Sequence, residues 1–384
     1  MNVISLYFAL WVTIDKKGED ILYGLSLSIS MLLAAALEPI MGAVSDAHKT
    51  KKPFLIFFTV LCCIFTGFMG MSKGLFWGLV FFVIANFGYQ LAGVFYNSLL
   101  LDISNQKDLG RISGYGVALG YLGTIAGLLL VRPFVLRMGR QAAFIPTALL
   151  FFLFSLPCFL FVKEKKTKES FSMLRLKFPE AFQRIRDTFV DSKKYPHLIK
   201  FLLAAFIFLN AVNTTIIFMS VYTKKVLGFT DEQLVSFYIF STIFAILGSF
   251  YSGLLVDRIG ARKSVNISLG FWIAGLLIAF ISWNKLIFWA VGPLIGIALG
   301  SLWVSSRALA IKLCPSEKLS EIFGLFGLAG KSSSIVGPLI WGLTVLGFGF
   351  LGLLKYRIAI FIQLIFIFVG WQTLRSLVFS DKRC

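Results

Sequence analysis

Two ionisable side chains lie inside long apolar stretches of this 384-residue chain, where a charge is costly and usually serves a function. Glu38 lies eight residues before Asp46, or about 12 Å along a helix. Lys331 lies ten residues after Glu321, or about 15 Å along another helix. Opposite signs at matched depths predict that Glu38 and Lys331 form an ion pair. Because burial disfavours the charge of a carboxylate, Glu38 is also a candidate for carrying a proton, whether paired or held as a neutral acid.

Amides and hydroxyls with helical spacing form a second group of candidates. Asn86, Gln90 and Asn97, with Gly93 between them, follow one face of a helix. Such a face must turn toward protein or water if the helix lies in lipid. It can then contact a solute or hydrogen-bond a neighbouring helix, and the sequence leaves both interpretations open. We predict that the residues lining a solute cavity are Asn86, Gln90, Asn97, Asn210, Asn213, Thr214 and Trp303.

Two charged segments share one spacing. In "GAVSDAHKTKK" (42–52) and in "GLLVDRIGARKS" (253–264) a glycine precedes an aspartate by four residues, and the two segments are offset by 211. Three glycines of one apolar stretch match three of a later stretch at an offset of 210: Gly114, Gly120 and Gly127 against Gly324, Gly330 and Gly337. The agreement of the two offsets indicates an internal duplication.

The elements that carry these residues must be membrane-spanning helices. The chain is 58% hydrophobic and 14% charged, whereas soluble proteins are about 25% charged. A span needs roughly 20 apolar residues. Residues 1–14 would reach only about 21 Å, so we interpret them as the second half of a span. We predict eleven full spans near 21–45, 53–72, 75–101, 112–132, 142–162, 199–221, 233–256, 265–283, 286–310, 322–345 and 356–375.

The distribution of basic residues predicts the orientation. If the half-span is counted as the first, the loops after even-numbered spans and the C-terminal tail carry 25 Lys and Arg, against 11 on the other side. The even side is therefore predicted to be cytoplasmic, with Arg132, Arg137 and Arg140 as an exception in an external loop. We divide the chain into an N-terminal half (1–162), a basic cytoplasmic linker with an amphipathic helix (163–198) and a C-terminal half (199–384).

Several functions are disfavoured. The net charge of +19 is explained by the loops that anchor the spans, so we expect no nucleic-acid partner. The five cysteines show no metal-ligand spacing, and no nucleophile and base share a span, so we expect neither an enzyme nor a cofactor or metal site. No phosphate-binding G-x-x-x-x-G-K-[ST] segment is present, which disfavours an ATP-driven pump.

Five segments carry a family resemblance: "VFYNSLLLDIS" (94–104), "GRISGYGVALGYLG" (110–123), "VLGFTDEQL" (226–234), "SSRALAIKLCP" (305–315) and "FGLFGLAGKSSSIVGPLIWGL" (323–343). They resemble the vacuolar amino-acid effluxer (autophagy-related) family and its bacterial relatives, within the major facilitator superfamily. The resemblance implies an all-α fold of two parallel six-helix repeats. It also implies secondary transport of a small polar solute by alternating access, with neutral amino acids as an option, and the position of Glu38 adds proton coupling as a second option. We expect a monomer in the bacterial cytoplasmic membrane, with the C-terminus and the 163–198 linker cytoplasmic.

The resemblance also assigns roles to the charged segments. The superfamily pattern G-x-x-x-D-R-x-G-R-[RK] fits the C-terminal copy, whereas the N-terminal copy has Ala47 and Lys49 where Arg and Gly are usual. The alternative interpretation of these segments is simple anchoring at the membrane surface. Lys331 fits the family's Gly-Lys-x-Ser-Ser pattern and is either a carboxylate anchor or a structural partner. We expect a cytoplasmic gate at Gly42, Asp46, Gly253, Asp257, Arg258, Arg262 and Arg307.

The sequence also departs from the family. A Tyr-Asp-Trp-Ala-Asn motif of the first span is absent, Ala211 follows Asn210 where an acid is usual, and Trp303 replaces a glutamine. These changes alter positions expected in the cavity, so the solute can differ. A sugar, drug or lysolipid carrier of the same fold, or a scramblase or non-transporting membrane protein, are the alternatives.

Overall fold

The computed structural model describes residues 2–48, 51–103, 109–162, 196–313 and 319–376. The chain forms two compact units, unit 1 (Met1–Arg186) and unit 2 (Asp187–Cys384). Within the described part, unit 1 holds α1 (Asn2–Leu10), α2 (Asp20–His48), α3 (Lys52–Met71), α4 (Leu75–Ile103), α5 (Leu109–Met138) and α6 (Phe144–Phe161). Unit 2 holds α7 (Pro196–Leu227), α8 (Asp231–Ile259), α9 (Ala261–Ile281), α10 (Val291–Lys312), α11 (Leu319–Gly347) and α12 (Leu354–Arg375).

The helices agree with the predicted spans. Ten of them in the described ranges are long and apolar enough to cross a membrane, namely α2 to α10 and α12. Helix α11, with 29 residues, covers the predicted span at 322–345. The apolar helix at Val3–Asp15 is shorter than these ten. The all-helical membrane fold is thus confirmed, while the repeat relation and the domain boundaries stay predictions. Residues 163–195 of the predicted linker lie outside the described part of the chain.

An aromatic cluster in unit 1 is built around the ring of Phe8 on α1. This ring stacks on Phe82 of α4 with a centroid distance of 4.4 Å and on Trp11 at 5.5 Å. Tyr23 of α2 and Phe144 of α6 meet the same ring in edge contacts at 5.7 and 5.9 Å. Because four helices contribute to one aromatic cluster, the short N-terminal helix is an integral part of the packing.

Polar contacts tie the end of the N-terminal helical segment to two turns of unit 1. Asp15, at the end of a π-helical turn (Trp11–Asp15), forms an ion pair with Arg140. The Trp11 indole donates to Gln141 Oε1 at 3.3 Å, and the Gln141 amide donates to the Ser72 carbonyl at 2.6 Å. These bonds connect the first helix to the turns that precede α4 and α6.

The structure corrects the predicted position of two arginines. Arg132 and Arg137 were expected in an external loop, but α5 continues to Met138, and both residues are helical. Gly139 ends this helix with a φ of 84°, a conformation that glycine adopts without steric cost. Long basic side chains fit near the end of a spanning helix because their charged groups can extend toward the interface.

In unit 2, helices α8 and α10 approach through glycines at every fourth position of α10. Added Cβ atoms at Gly296 and Gly300 would overlap the carbonyl oxygens of Ser241 and Ala245. Gly248 of α8 completes the contact, since a Cβ there would lie 2.7 Å from Ile297 Cα. Small residues at this spacing let two helix backbones touch, which is a common way to join spans in lipid.

The charged segment at 253–264 is also corrected, from a loop to the junction of two helices. Helix α8 includes Asp257 and Arg258 and ends at Ile259, and α9 begins at Ala261. Gly260 alone joins them, with a φ of 86° that favours glycine. In the N-terminal copy, Gly42 and Asp46 are likewise helical because α2 continues to His48.

Candidate functional site

The polar face predicted on α4 meets α2 inside unit 1. The rings of Tyr23 and Phe82 lie 5.5 Å apart, and further along both helices the Asn86 amide donates to Ser30 Oγ at 2.6 Å. From the first contact to the second, the residue number rises on both helices, so α2 and α4 run parallel. Asn86 is buried, and its amide group donates its hydrogen bond to the neighbouring helix. This favours a role in helix packing over a role in solute binding for this predicted cavity residue.

Glu38 lies on α2, eight residues beyond Ser30, and α4 continues beyond Asn86 through the stretch between Gln90 and Asn97. Gly93 lies in this stretch, and a Cβ there would have no neighbour within 4 Å. Glu38 and Gln90 are half-buried and Asn97 is exposed. Unit 1 therefore carries a half-buried carboxyl group on α2 and two carboxamides on the adjacent helix α4, with open space beside Gly93.

In unit 2 the predicted polar residues of α7 face α11. The Asn213 amide nitrogen lies 2.9 Å from both Ser333 Oγ and Ser334 Oγ and 3.3 Å from the Gly330 carbonyl oxygen. Lys331 lies within this segment of α11 and is half-buried. Asn213, which the sequence assigned to a cavity wall, is thus engaged in a contact between helices next to Lys331.

Two further predicted residues of α7 lie at a close approach to Gly337. A Cβ on Gly337 would overlap Thr214 Oγ1 and lie 2.8 Å from the Asn210 carbonyl oxygen. Both side chains are buried, and the Asn210 amide donates back to the Phe206 carbonyl at 2.8 Å. Trp303 is half-buried on α10. Asn210, Asn213 and Thr214 therefore share one helix contact, and Trp303 lies on a separate helix.

The residues predicted to form a gate differ in their surroundings. Asp257, Arg258 and Arg307 are exposed at the ends of α8 and α10. A Cβ on Gly253 would meet no atom within 4 Å. Helix α2 contains Gly42 and Asp46, and the placement of the Asp46 side chain lies outside the described part of the chain.

Arg262 binds a helix-end carbonyl, a contact that the sequence did not predict. Its guanidinium donates to the carbonyl oxygen of Arg375, the last residue of α12, at 3.0 Å. In unit 1, Lys52 at the offset of 210 donates to the Val162 carbonyl at the end of α6, at 2.9 Å. Each base thus binds a terminal carbonyl of the sixth helix of its own unit. We call these two contacts the helix-end staples.

Sequence reasoning missed Ser30 and the staple role of Lys52, and it assigned no contact to the serines of the Gly-Lys-x-Ser-Ser pattern. Ser30 gave no signal, because serine is common in spanning helices and a single hydroxyl marks no face. Lys52 had a usable signal in its offset of 210 from Arg262. Neither the carbonyls that the two bases bind nor the serine contacts could be found from side-chain types alone.

The sequence profile described as "Vacuole effluxer Atg22 like" matches residues 21–109 and 101–378 of the chain. The chain belongs to this family. It is 28% identical over 336 residues to an uncharacterized MFS-type transporter, YxiO, of Bacillus subtilis, covering 84% of this chain and 77% of that protein. It is 25% identical over 383 residues to a multi-drug resistance efflux pump PmrA homolog of Lactococcus lactis, covering 96% and 89%.

A solved structure supports the fold. The chain superimposes on a bacterial homolog of the human lysosomal transporter Spinster, inward-facing and unoccupied, with a TM-score of 0.72 and 15% identity, over 99% of this chain and 95% of that one. The Atg22-like chain is therefore a multi-pass membrane protein with the major facilitator fold. The matched family is described as vacuole effluxer-like and the Bacillus subtilis relative is an MFS-type transporter, so the chain is a secondary transporter and not an enzyme.

Proposed function

We propose that this Atg22-like transporter moves a small polar solute, with neutral amino acids as the first class to test, and that Glu38 couples the movement to protons. The observation that carries the proposal is the half-buried carboxyl of Glu38 on α2, the helix that pairs with α4, which carries Gln90 and Asn97. Carboxamides supply both donors and acceptors to a polar solute, and a carboxyl beside them can exchange a proton as the solute enters or leaves.

The remaining roles follow the same scheme. Lys331 attracts the carboxylate of the solute. Asp257, Arg258 and Arg307 act at the cytoplasmic gate, with Asp46 as the counterpart of Asp257. The transporter works as a monomer in a bacterial cytoplasmic membrane, with its C-terminus and the 163–198 linker inside.

The test is uptake of labelled neutral amino acids into proteoliposomes that contain the full chain, with and without an inside-alkaline pH gradient. We expect gradient-driven accumulation in the wild type and its loss in Glu38→Gln. The variant should still exchange internal for external amino acid, because exchange needs the binding site but no net proton movement. Exchange and accumulation lost together would assign Glu38 to solute binding instead.

Glu19→Gln is the matched control, since it makes the same change at another glutamate of unit 1. Glu19 is exposed and precedes α2, so this variant should accumulate amino acid like the wild type. If wild-type vesicles move no amino acid in either assay, while the protein keeps its helical content and melting transition, the solute class is wrong. If they randomise labelled lipid between leaflets without moving any solute, the scramblase alternative is favoured.

A second candidate function is export of a larger, partly apolar compound. Two observations favour it: the similarity to a multi-drug resistance efflux pump homolog and the half-buried indole of Trp303 at a predicted cavity position. An indole offers a flat apolar surface for stacking but only one donor. The same vesicles, tested for gradient-driven movement of a cationic dye, distinguish the two functions.

A further inference from the structure

The peptide group between Gly330 and Lys331 receives an unusual number of side-chain donors. Ser333 Oγ donates to the Gly330 carbonyl oxygen at 2.6 Å and Ser334 Oγ at 3.0 Å. The Asn213 amide reaches the same oxygen at 3.3 Å from the neighbouring helix α7. This carbonyl and the N–H of Lys331 belong to one rigid plane. Contacts that fix the carbonyl therefore fix the backbone from which the Lys331 side chain starts.

The same contacts join two helices. Each serine hydroxyl donates to Gly330 and accepts from Asn213 Nδ2, at 2.9 Å in both cases. Without Asn213, the serines could keep their bonds within α11, but this link to α7 would be lost. Hydrogen bonds of this kind between spanning helices are individually weak, enough to bias an orientation but too little to hold the fold alone.

A second contact keeps α7 and α11 at a fixed spacing. Gly337 lies six residues beyond Lys331, or about 9 Å along α11, and packs against Thr214 and the Asn210 carbonyl. The close approach limits sliding of α11 along α7 because larger groups on either side would collide. Lys331 is thus anchored by a hydrogen-bonded contact at its own level and a steric contact further along.

We propose that Asn213 is a positioning residue for Lys331 and not a solute ligand, and that the pair selects solutes that carry a carboxylate. This inference rests on the proposed function. The Lys331 side chain is long and flexible, so its ammonium group meets a carboxylate reliably only if its backbone is held in place. Displacement of a binding group by about 1 Å can cost a large part of its contribution.

The test is a double-mutant cycle in proteoliposomes. KM is measured for a neutral amino acid and for its amide, which keeps the side chain and the amine but lacks the carboxylate. Asn213→Ala should raise KM for the acid roughly tenfold, with little change in the maximal rate or in KM for the amide. In a Lys331→Gln background, Asn213→Ala should have no further effect. Additive losses in the two backgrounds would overturn the positioning role.

Two controls separate positioning from general damage. Asn266→Ala removes another carboxamide contact of unit 2, in which Trp371 donates to Asn266 Oδ1 at 2.8 Å, and should keep the wild-type KM. Joint substitution of Ser333→Ala and Ser334→Ala should reproduce Asn213→Ala, because it removes the other side of the contact. An Asn266→Ala variant with the same rise in KM would point to generic loosening of unit 2.

A measurement without solute keeps the inference testable even if amino acids are not the substrate. The rate at which an amine-reactive reagent labels Lys331, measured by mass spectrometry, should change at least threefold in Asn213→Ala and remain at the wild-type value in Asn266→Ala. Equal rates in all three proteins would refute the positioning of Lys331. A changed rate together with failure of wild-type amino-acid transport would refute the proposed solute class and leave the positioning intact.

Discussion

In unit 1, helices α2 and α4 are joined by a hydrogen bond from Asn86 to Ser30. In unit 2, the residue 210 positions after Asn86 is Gly296. There, α8 and α10 meet backbone to backbone, and Gly296 lies against the Ser241 carbonyl. At positions related by the predicted offset of 210, one unit thus has a side-chain contact between helices and the other has no side chain. A polar contact tolerates small shifts, while a bare glycine contact does not.

A second helix pair differs in the same direction. Gly127 of α5 and Gly337 of α11 correspond at the offset of 210. A Cβ at Gly127 would meet only Val3 Cγ2 within 4 Å, at 3.3 Å, whereas one at Gly337 would overlap Thr214 and crowd the Asn210 carbonyl. Unit 2 is therefore packed more closely at both positions, and equal substitutions should damage it more than unit 1.

The largest effect is expected for Gly296→Ala. The new Cβ would overlap the Ser241 carbonyl and lie 3.0 Å from Phe244 Cβ, and a backbone oxygen cannot rotate away. Forced separation of two helices should destabilise unit 2 by roughly 3 kcal/mol, the upper end for overpacking. The measurement is the unfolding transition in detergent, with ligand-free protein. A variant as stable as the wild type would show that α8 and α10 can move apart at no cost.

The comparison of Gly337→Ala with Gly127→Ala should give the next largest effect. At Gly337 we expect a loss of about 2 kcal/mol, because Thr214 can rotate but the Asn210 carbonyl at 2.8 Å cannot. At Gly127 the Val3 side chain needs to shift by only a few tenths of an ångström, so a loss below about 1 kcal/mol is expected. Similar losses at the two positions, measured by the same unfolding assay, would end the distinction between the units.

Asn86→Ala tests the polar side of the comparison. It removes a buried hydrogen bond and leaves Ser30 with its bond to the Leu27 carbonyl, which the serine donates at 2.7 Å. Because the hydroxyl keeps one partner, the expected loss is about 1 kcal/mol, and solute transport should persist. Transport abolished in a stably folded Asn86→Ala protein would instead return Asn86 to the solute cavity, where the sequence had placed it.

Sequence reasoning predicted the helices well because each span is a long apolar stretch whose length is set by the membrane. It predicted the polar faces of α4 and α7 from spacing alone, but it could not tell which members face a neighbouring helix. Asn86 and Asn213 differ from Gln90 only in what lies opposite them, and this depends on helix register. The register is set by glycine contacts and aromatic packing between distant segments, and side-chain type carries little information about either.

The partners of the charged residues at the helix junctions likewise could not be predicted from side-chain type. The smallest predicted effect concerns these residues, at the helix-end staples. Lys52→Gln and Arg262→Gln each remove a charged donor from a helix-end carbonyl, at 2.9 and 3.0 Å. Both contacts are at least partly exposed, so screening by solvent should limit each loss to less than about 1 kcal/mol.

The two staple variants should therefore lower the unfolding transition by similar small amounts, and the losses should shrink at high salt. Lys263→Gln is the control, because Lys263 is an exposed neighbour of Arg262 and should be silent. A gate role for Arg262 predicts something different: Arg262→Gln would change the rate of solute exchange, while Lys52→Gln would not. Equal behaviour of the two variants is the outcome that a repeated staple requires, since each base then serves only the packing of its own unit.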